Sequence, residues 1–344
     1  MRIGFHLTPF WSPTDRSPTQ ILDEAIEVVA AASKMGYGWV SIGHHWLSHP
    51  TIWPQPFPVL ARLAPETGAM QLKTSVLLMP LMNPVDVAEN GATLDHISHG
   101  RFVLGMSVGY RAKELEAVGL TRKDRGAKLE ESIRLIKQLW TADEPVTFEG
   151  RYTKITEGRM GFRPYQEPHP PIELGAQSDP ATKRAARIAD GVFFGPQAAW
   201  ADVKRLAGVY RAEREAQGRP GLGILGSSRS LLVGKSKQDA AARARAYLDK
   251  TFNMYKTWEM QEPSMVGLQL EQDINLDDWT IHGSPADCVE VLLRARDEIG
   301  LNAVGVTIYS LPPSPRERIE YLQMIAEEIV AKVAEPSDAA GGVT

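Results

Sequence analysis

Cysteine is nearly absent: Cys288 is the single one in 344 residues. An intrachain disulfide framework is therefore excluded, and a reducing compartment suits the chain. Long apolar runs are missing as well. No window approaches the roughly 18 apolar residues of a membrane span, so no membrane association is expected. Residues 1–10, MRIGFHLTPF, run straight into a strand pattern without the regions of a signal peptide. The expectation is a cytoplasmic protein. Basic residues do not exceed acidic ones: 38 Lys and Arg stand against 42 Asp and Glu, a net charge of -4. Nucleic acid is accordingly not an expected partner. Neither GxGxxG nor GxxxxGK(S/T) occurs where a strand meets a helix. GMSVG at 105–109 lacks the third glycine of a dinucleotide fingerprint.

What is present is core-forming material, 43% hydrophobic residues against 23% charged, enough for one α/β barrel or two smaller domains. Residues 72–110 set the pattern. An apolar run at 74–79, a helical spacing over 85–97 and a second run at 101–108 make strand, helix, strand in about 35 residues, enough for a right-handed parallel crossover. The rest of the chain reads as copies. Further strands are expected at 2–7, 39–42, 171–175, 191–194, 224–233 and 303–309, nearly all separated by amphipathic helices. Eight such strands predict a closed (β/α)8 TIM barrel, with a doubly wound open sheet as the alternative. A helix at 237–258 and an aperiodic insertion at 259–282 follow strand seven on the mouth side. Residues 1–334 are read as one domain, and 335–344, rich in Gly, Ala, Ser and Pro, as a frayed tail.

A barrel places chemistry at the C-terminal ends of its strands. His44 and His45 leave strand two there, and strand alternation lets at most one of them face the mouth. A metal site recruiting His49 or His6 is one reading. No HxH or carboxylate sits at ligand spacing, and nearby tryptophans favour an organic ligand. Ordinary loop histidines are the third reading. Gly175-Ala176-Gln177-Ser178-Asp179-Pro180 reads both as an anion cradle at a helix N-terminus and as an N-cap with proline in the first turn. Arg125 opens a helix and alone reads as surface charge. Ser107 ends strand four and faces either core or mouth. Trp11, Trp46, Trp53, Trp200, Trp258 and Trp279 fall mostly in mouth-side segments and suggest a wide aromatic pocket.

These residues together resemble the bacterial luciferase-like monooxygenase family, over nearly the full length. The resemblance rests on MGYGWVSIGHHW, on the Leu94-Asp95-His96-Ile97-Ser98-His99-Gly100-Arg101-Phe102 block (LDxxSxGRF), on LEESIRLIKQLWT, and on the ADG at 189–191. It implies a TIM barrel whose insertion after strand seven is a mobile lid, a non-covalent FMN or 5-deazaflavin at the mouth, and a homodimer. By the same resemblance, His44 matches the histidine that supports the reaction of reduced flavin with oxygen. Ser107 matches a residue beside the ring, Tyr110 is read as a further cofactor-binding residue, and Ser75-Val76 matches a non-prolyl cis peptide beneath the ring. Arg125, Ala176, Gln177 and Ser178 match the phosphate site.

Two positions depart from the family: Gly43 stands where a glutamate is common, and Asn83 where a histidine is. Deazaflavin-dependent members commonly carry Asp-His in place of His44-His45, and the glucose-6-phosphate dehydrogenase branch places a carboxylate near Tyr110. This chain has neither, which favours FMN. The expectation is a monooxygenase that receives reduced FMN from a separate reductase and oxygenates a small organic substrate with O2. A deazaflavin-dependent oxidoreductase and a non-catalytic flavin-binding protein are the alternatives.

Overall fold

The computed structural model describes residues 1–7, 17–219, 221–257, 275–308 and 314–334. Eight parallel strands run around a barrel: β1 (Arg2–His6), β2 (Trp39–Ile42), β3 (Gln71–Thr74), β4 (Phe102–Ser107), β5 (Ile172–Ala176), β6 (Gly191–Phe194), β7 (Ile224–Val233) and β8 (Ala303–Thr307). Each pairs with the next, and β8 returns to β1 with Ala303 opposite Arg2. That closure removes the open-sheet alternative. Outside lie α1 (Pro18–Ala32), α2 (Pro56–Leu63), α3 (Pro84–Ile97), α4 (Arg125–Thr141), α5 (Asp179–Ile188), α6 (Trp200–Ala216), α7 (Pro285–Arg294) and α8 (Pro315–Ile325).

Local chemistry starts these helices where the barrel needs them. Ser17 with Gln20, and Ser284 with Asp287, form reciprocal capping boxes ahead of a first-turn proline. Asn83 accepts from Val85 N–H and caps α3 at an exposed position, so this departure from the family serves the helix and does not line the mouth. Helix α4 buries Leu129, Ile133, Ile136 and Trp140 on one face.

The LDxxSxGRF block fastens the opposite end of the barrel. The buried carboxylate of Asp95 accepts from the backbone and side-chain nitrogens of Gln166 at 2.8 and 2.7 Å. Arg101 donates to Thr67 Oγ1, Met70 O and Ala64 O. Inside the barrel, Lys73 on β3 and Glu173 on β5 form a buried ion pair at 2.5 Å. The ammonium also lies 4.7 Å from the Trp39 ring and 4.3 Å from the Phe193 ring.

Two expectations shift. The third strand lies earlier than 74–79: it spans Gln71–Thr74, and a two-residue strand Leu77–Leu78 then pairs with the end of β4. The apolar run hid this, because the polar Lys73 within the strand finds its partner inside the barrel. The insertion after β7 begins with the helix Lys237–Thr257. Residues 258–274, with most of the expected lid, lie outside the described residues. The final part of 259–282 is regular: a short helix, Leu276–Trp279, then a strand, Thr280–Gly283, in parallel register with Ser230–Val233 of β7. Its buried Ile281 and His282 belong to the sheet.

Candidate active site

The C-terminal ends of the strands enclose a cavity of about 260 Å³. His44, Ser75, Val76, Ser107, Tyr110, Arg125, Ala176, Gln177 and Ser178 all line it. A larger trench of about 670 Å³ lies outside the barrel against α4, lined by Arg134, Lys137, Arg151 and Arg187 among others. Its cations meet their own acids, Lys137 with Asp190 at 3.7 Å and Arg187 with Glu213 at 3.5 Å. It gathers none of the strand-end residues.

One wall of the mouth cavity is a slot. The peptide between Ser75 and Val76 is cis. Just before it, Thr74 Oγ1 donates to Gly105 O at 2.8 Å and accepts from Gly105 N–H at 2.9 Å, tying β3 to β4. Gly175 faces this point from β5. A Cβ there would sit 3.3 Å from Ser107 Cβ and 3.4 Å from Val76 Cγ1. Glycine keeps the gap open for something flat.

A polar end lies where β5 meets α5. Ser178 is the N-cap, yet its hydroxyl makes no capping bond, so hydroxyl and helix N-terminus both remain for a ligand. Arg125 donates to Gly109 O at 2.6 Å and lines the same cavity. Gln177 Nε2 donates to Gln197 Oε1 at 2.8 Å, while its own buried Oε1 has no partner among the described residues.

The histidine end overturns one expectation: both His44 and His45 line the cavity. Strand β2 stops at Ile42, so the alternation that would send the rings to opposite sides has ended before them. His44 is buried, and its Nδ1 accepts from Leu78 N–H at 3.2 Å. A backbone N–H can only donate, so the ring proton sits on Nε2. That atom is buried without a partner among the described residues. Burial, and then the neighbouring His45, lower the His44 pKa to about 4 against the opposing pulls of Glu114 and of a side-chain hydrogen bond with Gln55. At neutral pH His44 is an uncharged donor.

His45 is held differently. Its Nδ1 lies 2.9 Å from Glu114 Oε1. Glu114 comes from the short helix Ala112–Glu116 and is itself buried. Burial alone would raise its pKa, but the His45 and Trp46 N–H bonds and Arg111 outweigh that and hold it below the usual carboxylate range. Arg111 also donates to Trp46 O at 2.6 Å and Leu47 O at 3.1 Å. The pair thus clamps the loop that carries both histidines. Gly43 leaves room for Trp53: a Cβ at 43 would lie 3.1 Å from the Trp53 ring. The indole stands edge-on to His45 at 4.7 Å.

The wide aromatic pocket narrows accordingly. Of the six tryptophans, Trp53 lines the cavity. Trp279 packs with Leu232 and Leu248, Trp200 lies under Arg229 at 4.0 Å, and Trp11 and Trp258 fall outside the described residues. Among the described residues, no three His, Cys, Asp or Glu side chains gather in a metal-binding arrangement. Cys288 is buried, and burial pushes its thiol up to about 12.

A family model described as luciferase-like monooxygenase matches residues 1–302. The chain belongs to the luciferase-like monooxygenase family. The oxygenase component of the flavin-dependent trigonelline monooxygenase of Acinetobacter baylyi is 28% identical over 249 residues, 71% of this chain and 68% of that protein. The F420-dependent glucose-6-phosphate dehydrogenase of Kineococcus radiotolerans is 36% identical over 182 residues, 51% of this chain and 52% of the enzyme. The match thus spans about half of the second relative. The oxygenating constituent of 3,6-diketocamphane monooxygenase from Pseudomonas putida, solved with FMN, superposes with a TM-score of 0.81 at 18% identity, over 98% of this chain and 99% of that one. This likeness establishes the fold.

Within the family barrel, sequence reasoning placed Trp53 in the pocket but passed over Glu114, Gln197 and the contact that holds His45. The Glu114 contacts span 68 and 69 residues of chain, and nothing local announces them.

Proposed function

We propose that this member of the family is the oxygenase of a two-component system, taking reduced FMN from a separate reductase and using O2 to oxygenate a small organic substrate. One observation carries the reading. A flat slot between Val76, Ser107 and Gly175 has a hydroxyl, a helix N-terminus and Arg125 at one end, and a fixed neutral donor, His44 Nε2–H, at the other. Reduced FMN, when bound, supplies the electrons and the atom at which O2 is activated. The chain's own part is positional. Arg125 and Ser178 would hold the phosphate, and Gln177 Oε1 would accept from a ring or ribityl donor. His44 Nε2–H would donate to an oxygen atom. A base role for His44 Nε2 does not fit while Leu78 N–H holds Nδ1 in the acceptor state. The apolar faces of Val76, Leu78 and Phe194 would keep water from the reacting centre.

The sequence relation to F420-dependent dehydrogenases supports a second reading, hydride transfer with a 5-deazaflavin and no O2. The His44-His45 pair, where deazaflavin-dependent members commonly carry Asp-His, supports the first. Titration with FMN, riboflavin and a 5-deazaflavin, followed by oxygen uptake with chemically reduced FMN over a panel of substrates, separates them. The expected result is FMN binding at least tenfold tighter than riboflavin, a preference lost in Arg125→Met and Ser178→Ala, with substrate-dependent oxygen uptake. Deazaflavin binding without oxygen uptake would replace this reading by the second. Flavin binding with no turnover over the panel would favour a non-catalytic carrier. A homodimer and a cytoplasmic location complete the proposal.

A further inference from the structure

We infer that His6 selects the substrate: its Nε2 is a hydrogen-bond acceptor in the mouth cavity and takes the proton of an O–H or N–H group carried on a flat ring. The inference rests on the reading that this cavity receives the organic substrate.

His6 is the last residue of β1, stands in register with Ser41 of β2 and lines the cavity. Side chains opposite one another on neighbouring strands lie within reach of each other. The Ser41 hydroxyl has one proton, and it donates that proton to Phe5 O at 3.3 Å. Towards His6 Nδ1, 3.0 Å away, the same oxygen can then only accept. The ring proton therefore sits on Nδ1, and Nε2 keeps its lone pair. Burial lowers the His6 pKa to about 4 against a backbone hydrogen bond with Ser41, so the ring is uncharged at neutral pH.

Gly43 gives access to that lone pair. It lines the same cavity. A Cβ at 43 would stand 3.6 Å from His6 Nε2, 3.6 Å from Ser75 O and 3.1 Å from Trp53 Cζ2. Without a side chain there, the imidazole nitrogen and a backbone carbonyl face the cavity with the indole beside them. Both polar atoms are acceptors, so the group that fits between them is a donor. An ether or a tertiary amine has no proton to give, and a carboxylate would set its charge against both lone pairs. The indole suits a flat carrier, since aromatic rings gain by packing against one another. The chemical class is a phenol, a cyclic enol or an aromatic amine.

Two pairs of probes test this: phenol with anisole, and aniline with N,N-dimethylaniline, titrated by calorimetry with and without FMN. In at least one pair the donor is expected to bind tenfold more tightly than its methylated partner, which leaves the acceptor unmet. The pair that shows the preference tells O–H from N–H. Equal binding in both pairs overturns the inference. His6→Phe keeps a ring without the acceptor and is expected to reduce the preference to under twofold with FMN affinity unchanged. A surviving preference overturns the inference. So does a matching loss of FMN affinity, which would give the acceptor to the flavin. Should His6→Phe not fold, Gly43→Val leaves His6 in place and covers Nε2. The same loss of preference is expected there, and its retention overturns the inference. Nitrogen-15 spectra of the wild type are expected to place the His6 proton on Nδ1, and a proton on Nε2 is equally fatal. Failure of FMN to bind, with the donor preference intact, counts against the proposed function alone.

Discussion

Acidification tests the state of His44 directly. Its pKa is lowered to about 4 from 6.5, chiefly by burial, while the unfolded chain keeps the ordinary value. Above pH 6.5 both states are neutral and stability does not depend on this ring. Between 6.5 and 4 the unfolded state binds more protons than the folded one, so stability falls as pH falls. Below 4 both states are protonated and the loss stops growing. The full difference corresponds to roughly 3 kcal/mol, of which about 2 kcal/mol is already lost at pH 5. His6, lowered to about 4 by burial, adds a parallel loss, so the wild type alone does not isolate His44. His44→Gln does: a glutamine oxygen still accepts from Leu78 N–H but does not titrate. Urea unfolding of both proteins at pH 7, 6 and 5 gives the comparison. The variant is expected to lose about 2 kcal/mol less than the wild type between pH 7 and 5. Identical pH dependence would refute the buried neutral donor, and with it the role given to Nε2.

Gly175→Val is expected to fill the slot between Val76 and Ser107, leaving a folded barrel by circular dichroism but weakening FMN binding at least tenfold. Lys73→Met strands the Glu173 carboxylate in the barrel interior and should cost about 3–5 kcal/mol in chemical unfolding. Adding Glu173→Leu should recover most of that loss, and no recovery would argue against the pair. Arg101→Ala removes three bonds at the far end of the barrel. It should cost about 2–4 kcal/mol with FMN affinity unchanged, a combination that separates the fastening from the mouth.

The barrel was readable because its period is carried by local pattern. Runs such as 102–106 and 191–194 are apolar, and caps such as Ser284-Pro285 mark the helices between them. Strand three was misplaced because the polar Lys73 reads as a strand end until Glu173, a hundred residues on, is brought to it. The most recognisable block, Leu94 to Phe102, signalled the family but ties the end of the barrel away from the cavity through Asp95 and Arg101. The candidate site was legible by resemblance at the slot and the polar end. It was illegible at the histidines. Their placement depends on β2 ending at Ile42, the His44 tautomer on Leu78 and the His45 hydrogen bond on Glu114, both of which approach only in three dimensions.

Among the described residues lining the cavity, Arg125 is the one Lys, Arg, Asp or Glu side chain. A single cation at one end of an otherwise uncharged cleft makes arrival directional. A ligand with an anionic tail is drawn in tail first, so its ring is delivered towards the histidines and not against the helix. Such steering weakens as counter-ions accumulate. The capture rate of FMN should therefore fall with ionic strength while that of riboflavin stays level. The phosphate then serves as a rudder as well as an anchor.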